Sequence, residues 1–216
     1  MSVEMRQFEN REQWLKARAD YIGGSDAACI LGLNPWKSNL ELYREKAGIT
    51  EAPDLSDNEA VIYGTRAEES LRWLFALDHP ELTVEYAENN SWHNPKYPFA
   101  AASLDAWSTD ADGRRGIVEF KTAIITSKEQ AKKWDGQIPD YYYCQLLHYF
   151  GVTEFDYADL RARLRFMYPE NHFIMERDYH VERSECEADI TTVFESEAAF
   201  HKRLQDKEEP PRIIRF

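Results

Sequence analysis

A pair of strand patterns joined by a glycine-containing turn constrains the fold of this chain more than any other feature. Residues 99–107 and 117–121 have the composition of strands, and the turn between them predicts a β-hairpin. Successive side chains of a strand point to opposite faces, so Glu119 and Lys121 share one face of the second strand. Pairing of the two strands would bring Asp105 beside Glu119.

Two carboxylates and a lysine at this hairpin indicate a particular chemistry. Asp105 and Glu119 would repel each other unless a cation lay between them. A hard divalent cation such as Mg²⁺ prefers oxygen ligands, which carboxylates and a backbone carbonyl supply. Lys121 beside that cation could orient or deprotonate a water molecule, or hold a phosphate oxygen. The set is typical of metal-assisted phosphodiester hydrolysis, although Glu119 and Lys121 alone would equally suit a solvated strand face.

Helical patterns dominate the N-terminal third of the chain. A short helix is predicted over 10–19 with Asn10 as its N-cap, and a second one follows the Gly-Gly turn with Ser25 as its N-cap. A long helix is predicted over 58–77. Gly64 interrupts this helix at a cost of about 1 kcal/mol relative to alanine, which predicts a close approach of a ligand or of backbone there.

The rest of the chain predicts an α/β fold, a mixed α+β domain with a central mixed sheet flanked by helices. Strands are predicted over the following ranges: 82–88, 99–107, 117–121, 155–160, 164–168 and 173–181. Helices are predicted at 127–134 and 139–150, and a C-terminal helix over 184–205 precedes an irregular tail, 206–216. With no linker or repeat to divide it, the chain is expected to form one domain, 1–216.

Charge and cysteine content exclude several classes of protein. With 39 Asp and Glu against 26 Lys and Arg, the formal net charge is −13, which argues against a protein that coats nucleic acid with its whole surface. The three cysteines are too few for a four-cysteine metal site and too far apart in sequence for a disulfide framework. The N-terminus lacks the apolar stretch of a signal peptide, and no apolar run is long enough to span a bilayer, so a cytoplasmic protein is expected.

Several motifs together resemble a known family. Asp105 followed by Glu119-Phe120-Lys121 resembles the PD-(D/E)XK nuclease motif, with Leu104 where the family usually has proline. The flanking segments resemble the phage lambda-type exonucleases, also called YqaJ-type viral recombinases. The segments that carry this resemblance are YIGGSDAA (21–28), LGLNPW (31–36), YGTRAE (63–68) and YCQLLHY (143–149). The resemblance covers roughly residues 10–185 and implies a restriction-endonuclease-like core.

The resemblance implies catalytic roles for individual residues. Asp105 and Glu119 would be metal ligands, and the backbone carbonyl of Phe120 would complete the set. Lys121 would be the catalytic lysine. Glu68 would reach the metal from the long helix, directly or through water.

Three further residues are implied outside that set. Gln145 would position the attacking water or the shell of the metal. Arg18 and Ser25 match positions that hold a terminal 5′-phosphate, and a guanidinium beside a helix start does suit an anion. Surface exposure of Arg18, simple capping by Ser25 and a buried, satisfied amide at Gln145 are the alternatives.

The function implied by the resemblance is a Mg²⁺-dependent 5′→3′ exonuclease of double-stranded DNA, with Mn²⁺ as a substitute cation. It would act at duplex ends as a homotrimer and leave 3′ single strands for a partner annealing protein in phage-type homologous recombination. A PD-(D/E)XK endonuclease or a RecB-like nuclease is one alternative. A non-enzymatic acidic DNA mimic is another, which the net charge permits.

The sequence leaves three interpretations open for one row of arginines. Arg161, Arg163 and Arg165 recur at strand spacing and so line one face. They would contact DNA, form an interface, or simply cover a solvated edge strand.

Overall fold

The computed structural model describes residues 2–213, in which helices and strands follow the mixed order expected from the sequence. The helices are α1 (Arg11–Ala19), α2 (Gly24–Ile30), α3 (Asn39–Lys46), α4 (Glu59–Asp78), α5 (Lys128–Lys132), α6 (Asp140–Thr153) and α7 (Glu187–Asp206). The strands are β1 (Glu4–Gln7), β2 (Thr83–Glu85), β3 (Asn90–His93), β4 (Ala101–Ala102), β5 (Ala106–Thr109), β6 (Arg115–Ile125), β7 (Tyr157–Tyr168) and β8 (Asn171–Glu182). The mixed α+β fold class is confirmed.

A five-stranded mixed sheet in the order β2-β5-β6-β7-β8 forms the centre of the molecule. The predicted hairpin is confirmed, because β5 and β6 pair antiparallel with Ala106 opposite Val118. β6 and β7 are parallel, and the other neighbours in this sheet are antiparallel. Since β5 covers β6 only as far as Val118, the next residues of β6 lie along an open groove.

A smaller sheet in the order β1-β3-β4 corrects the sequence interpretation. The single strand predicted over 99–107 is divided into β4 and β5, and Asp105 lies in the connection between them. The side-chain amide of Asn90 causes this break: its Nδ2 donates to the Leu104 carbonyl at 2.8 Å, and its Oδ1 accepts from the Leu104 N–H at 2.9 Å. These bonds replace the strand ladder and fix the backbone next to Asp105.

Helices cover both faces of β6. The α4 side buries Leu71 and Phe75 against Val118 and Phe120. The larger cluster lies with α6, whose buried residues run from Cys144 to Thr153. Glu119 and Lys121 point away from the α4 cluster, so the alternation predicted for this strand places them as expected.

The start of α2 differs from the prediction. Its N-cap is Gly23, not Ser25, because the Asp26 carboxylate accepts the Gly23 N–H at 3.0 Å and closes the first turn. Ser25 lies inside the helix and is exposed.

Two other boundaries also differ from the prediction. The C-terminal helix, expected from 184, begins at Glu187, because residues Arg183–Glu185 form a turn of 3-10 helix. The strands predicted at 155–160 and 164–168 form one continuous strand, β7. The 207–213 part of the tail is irregular as expected, and residues 214–216 lie outside the described range.

The arginine row on β7 has two different environments. Arg161 is 3% exposed, and its guanidinium binds Asp78 and Asp178 at 2.7 Å, so it ties α4 and β8 to β7. β7 lies between β6 and β8, so the interpretation as an edge strand is wrong. Arg163 and Arg165, further along β7, line a cleft between β7 and α4.

The remaining sequence expectations concern thiols and membranes. All three cysteines are buried, and no disulfide joins any of them within the described residues. Among the helices of residues 2–213, none combines the length and the apolar character that crossing a bilayer requires.

Candidate active site

A cleft of about 750 Å³ opens where β5 separates from β6. Helices α1, α4 and α6 contribute to its walls. It contains seven of the eight residues predicted for the site: Arg18, Glu68, Asp105, Glu119, Phe120, Lys121 and Gln145. The eighth, Ser25, does not line it.

Glu119 occupies the floor of this cleft. Its side chain is 2% exposed, and its Oε1 accepts hydrogen bonds from Lys121 Nζ at 2.6 Å and from Gln145 Nε2 at 2.8 Å. The other oxygen, Oε2, is buried and has no hydrogen-bond partner within the described residues. A buried carboxylate oxygen without a partner is costly, so this atom is available for a ligand.

Lys121, Gln145 and Tyr149 form a network over Glu119. Lys121 Nζ also donates to Gln145 Oε1 at 2.8 Å, which closes a triangle of three side chains. Gln145 Nε2 is 2.7 Å from the hydroxyl of Tyr149, one helical turn further along α6. The amide is thus held in one orientation by partners on both of its atoms.

Asp105 meets the same strand from the side. Its Oδ2 accepts the Phe120 N–H at 2.9 Å, which continues the edge of β6 where β5 no longer covers it. Arg72 on α4 donates to the Asp105 carbonyl at 3.4 Å. Backbone and side-chain contacts therefore hold Asp105 next to Glu119.

Three carboxylates of the cleft, Glu68, Asp105 and Glu119, have raised pKa values. Burial, followed by the charge of Asp105, raises the pKa of Glu119 to about 8 and that of Glu68 to about 7. Burial also raises the pKa of Asp105, against the opposing effects of Lys121 and the Phe120 N–H. Burial lowers the pKa of Lys121, but Glu119 and Asp105 raise it by more, so the ammonium form is favoured.

These residues fit a divalent cation. An unpartnered carboxylate oxygen beside a second carboxylate, both with raised pKa, is an arrangement that a cation would stabilise. Between residues 2 and 213 no three His, Cys, Asp or Glu side chains are grouped as a metal site. The fit therefore rests on Asp105, Glu119 and backbone oxygen, and Glu68 lines the same cleft.

Arg18 lies between the main cleft and a smaller chamber of about 210 Å³. Its guanidinium stacks on Trp14 at 4.6 Å, and it makes no ion pair within the described residues. Gly23 and Gly24 line the same chamber, whereas Ser25 faces outward. The structure thus brings Arg18 to the cleft and leaves Ser25 outside it.

Sequence interpretation missed three residues of the cleft. Tyr149 follows Gln145 by four positions, and Arg72 follows Glu68 by four, so helical spacing was the available signal. Arg72 stacks at 3.6 Å on Tyr86, an exposed aromatic at the rim that had no such signal.

Gly24 allows α2 to approach α6 beside this network. A Cβ at Gly24 would lie 2.5 Å from the Tyr149 ring and 2.9 Å from Gln145 Cγ. We expect Gly24→Ala to destabilise the fold by about 1–3 kcal/mol through overpacking and to displace Gln145. Urea unfolding measures the first effect.

Gly23→Ala is the matched control for this change. A Cβ at Gly23 would meet nothing nearer than Asp26 Oδ2 at 3.9 Å. Equal stability of the two variants would contradict the packing argument.

Comparison with known proteins gives one family and one curated relative. The model of the YqaJ-like viral recombinase domain matches residues 13–156. Protein YqaJ of Bacillus subtilis (strain 168), described as uncharacterized, is 33% identical over 173 residues, which are 78% of this chain. The chain spans about half (51%) of the length of that relative.

Solved structures show the same fold at low sequence identity. The alkaline exonuclease LHK-Exo from Laribacter hongkongensis is similar with a TM-score of 0.61 and 17% identity, over 91% of this chain and 93% of that one. A phage-related exonuclease from Haemophilus somnus 129PT is similar with a TM-score of 0.55 and 15% identity, over 87% and 96%. The cleft with Asp105, Glu119 and Lys121 therefore lies in a fold shared with these proteins.

Proposed function

The chain belongs to the YqaJ-like viral recombinase family, and from this premise we propose that residues 1–216 form one nuclease domain that hydrolyses DNA phosphodiester bonds with Mg²⁺. The observation that carries the proposal is the unpartnered Glu119 Oε2 in a cleft shared with Asp105 and Lys121. The two solved structures of similar fold are described as exonucleases, and LHK-Exo has also been solved with dAMP, which supports an exonuclease.

Asp105, Glu119 and the Phe120 carbonyl would hold the cation, with Glu68 acting through water. When bound, Mg²⁺ would polarise the scissile phosphate and make a water molecule more nucleophilic, and Mn²⁺ would substitute for it. Burial of the two carboxylates strengthens their hold on a cation, because little water competes with them.

Lys121 and Gln145 would act on the substrate and the attacking water. Lys121 Nζ now donates to Glu119 and Gln145, and it is close enough to the floor of the cleft to reach a phosphate oxygen there. With a cation bound, the charges of Glu119 and Asp105 would raise the pKa of Lys121 less, so a larger fraction of Lys121 would be in the neutral amine form that can accept a proton. Gln145, whose amide is held by Tyr149, would fix the position of the attacking water relative to Lys121.

The end specificity that we propose rests on Arg18. A guanidinium that makes no ion pair within the described residues, between the main cleft and a small side chamber, suits a terminal 5′-phosphate. Digestion would then run 5′→3′ from a duplex end and leave a 3′ single strand for an annealing protein during recombination. A homotrimer around the DNA is part of this proposal by family resemblance.

Digestion of linear duplex with 5′-phosphate or 5′-hydroxyl ends, with and without EDTA, tests this function. We expect Mg²⁺-dependent release of nucleotides and a preference of about 10- to 100-fold for the phosphorylated end, the worth of a charge-assisted contact. Covalently closed circular DNA should stay intact, and its cleavage would identify an endonuclease. Absence of metal-dependent nucleotide release would contradict nuclease activity, whereas indifference to the end group would remove only the phosphate site.

A further inference from the structure

A second cleft lies on the other side of α4 from the active site. Its volume is about 630 Å³, and its walls come from α4, between Glu59 and Leu74, and from the second half of β7. The residues that line it are Glu59, Ile62, Tyr63, Arg66, Ala67, Ser70, Leu71, Leu74, Arg163 and Arg165. We call it the α4–β7 cleft.

The α4–β7 cleft carries positive charge on a strongly acidic protein. Within residues 2–213, Arg66 and Arg165 make no ion pair, and Arg163 is paired with Glu176. Glu59 is the acidic residue among the lining side chains. Because three arginines and one glutamate line the cleft and two of the arginines make no ion pair within the described residues, the cleft has a net positive charge that attracts an anion.

Tyr63 gives the same cleft a stacking surface. The Arg165 guanidinium lies 4.0 Å from the centre of the Tyr63 ring, and the Tyr63 hydroxyl accepts a hydrogen bond from Arg163 Nε at 3.1 Å. The apolar side chains of Ile62 and Leu74 line the same cleft. Aromatic and guanidinium planes with an apolar floor bind unstacked bases, which a duplex does not offer.

The α4–β7 cleft adjoins the active site through β6 and α4. Thr122, the residue after Lys121, lines the active-site cleft and lies opposite Arg163 in the parallel pair. Arg165 lies opposite Ile124, about 10 Å further along the strands than Lys121. On α4, Gly64 lines the active site and its neighbour Tyr63 lines the α4–β7 cleft.

We propose that the α4–β7 cleft binds single-stranded DNA next to the active site, through phosphate contacts to Arg66 and Arg165 and base stacking at Tyr63. This inference rests on the proposed nuclease function for the source of the single strand. It also explains the arginine row of β7, in which Arg161 is structural and Arg165 faces a ligand.

Fluorescence anisotropy with a labelled oligo(dT) tests the proposal. The oligonucleotide has a blocked 5′ end, so it cannot use the Arg18 site, and EDTA prevents cleavage. We expect the double variant Arg66→Ala/Arg165→Ala to bind it ~10-fold more weakly at moderate salt. The slope of log K against log salt should become shallower by about 1.4, because each lost phosphate contact contributes about 0.7 for a single strand.

Arg203→Ala is the matched control, since Arg203 lies on α7 and outside the α4–β7 cleft. The inference would be overturned if the double variant kept the wild-type slope of log K against log salt, or if Arg203→Ala lost as much affinity for oligo(dT) as the double variant. A poly-glutamate peptide tests whether the cleft binds an acidic protein instead. If the double variant lost binding of this peptide but kept its binding of oligo(dT), the inference would also be overturned. Binding is measured without catalysis, so its result stands apart from the duplex digestion that tests the nuclease function.

Discussion

Replacement of Lys121 by alanine is expected to lower the rate of nucleotide release from linear duplex DNA by about 10²- to 10⁴-fold, the usual contribution of a positioned acid–base group. The physical reason is that Lys121 Nζ is the cationic donor between Glu119 and Gln145 at the floor of the cleft. Steady-state release of acid-soluble nucleotides under saturating Mg²⁺ measures the loss.

The Lys121 variant should fold normally. Glu119 has a pKa of about 8 even beside Lys121, and loss of the lysine raises that pKa further, so Glu119 stays neutral and no buried charge is left uncompensated. Lys37→Ala is the matched control, because Lys37 also pairs with a glutamate, Glu45, but lies outside the active-site cleft. Wild-type activity in Lys121→Ala, with the control equally active, would remove the lysine from the mechanism.

The stability of the cation-free protein is expected to fall as the pH rises from about 4.5 to 8. Glu68 and Glu119 have folded pKa values of about 7 and about 8, above their value of about 4.3 in an unfolded chain. A raised folded pKa stabilises the fold below the unfolded pKa, and that contribution is lost as the pH rises through the folded pKa. Each such group changes the free energy of unfolding by up to about 1.4 kcal/mol per pH unit.

A divalent cation should cancel most of this loss, because it stabilises the ionised carboxylates. Thermal unfolding in EDTA and in Mg²⁺ across pH 5 to 8.5 measures the difference between the two conditions. Burial lowers the pKa of His148, but its partner Glu197 raises it by more, so this buried pair also titrates; it titrates in both conditions and drops out of the difference.

Glu119→Gln supplies the internal control for the pH experiment. The amide is neutral at every pH, so its EDTA curve should be flatter than that of the wild type, and Mg²⁺ should stabilise it less. A cation-free wild type as stable at pH 8.5 as at pH 6 would contradict the crowding of the three carboxylates. So would equal stabilisation of both proteins by Mg²⁺.

Much of the candidate site could be predicted from local pattern. The β5–β6 hairpin, the long helix α4 and the common face of Glu119 and Lys121 follow from periodicity within about ten residues. The motif order also identified the family correctly. The structure gives the positions of the individual residues, but their proposed roles are still predictions.

Other features depended on contacts that periodicity does not encode. Ser25 has the composition of an N-cap, yet Gly23 occupies that position because Asp26 reaches back to it. Arg161 and Arg165 have the same spacing and residue type, yet one is buried between two aspartates and the other borders a cleft. The pairing of Asn90 with Leu104 divided a strand that the pattern made continuous.

By itself, the sequence determined the chemistry available to this protein: a carboxylate and a lysine on one strand of a hairpin, and a second carboxylate directly before the other strand. Only the tertiary structure decided which distant side chains join them, since Gln145 reaches Glu119 through the packing of α6 on the sheet. It also decided the pKa values, because burial determines how strongly each carboxylate favours its neutral form. Residue types follow from the chain, but desolvation and proximity exist only after the helices have packed against the sheet.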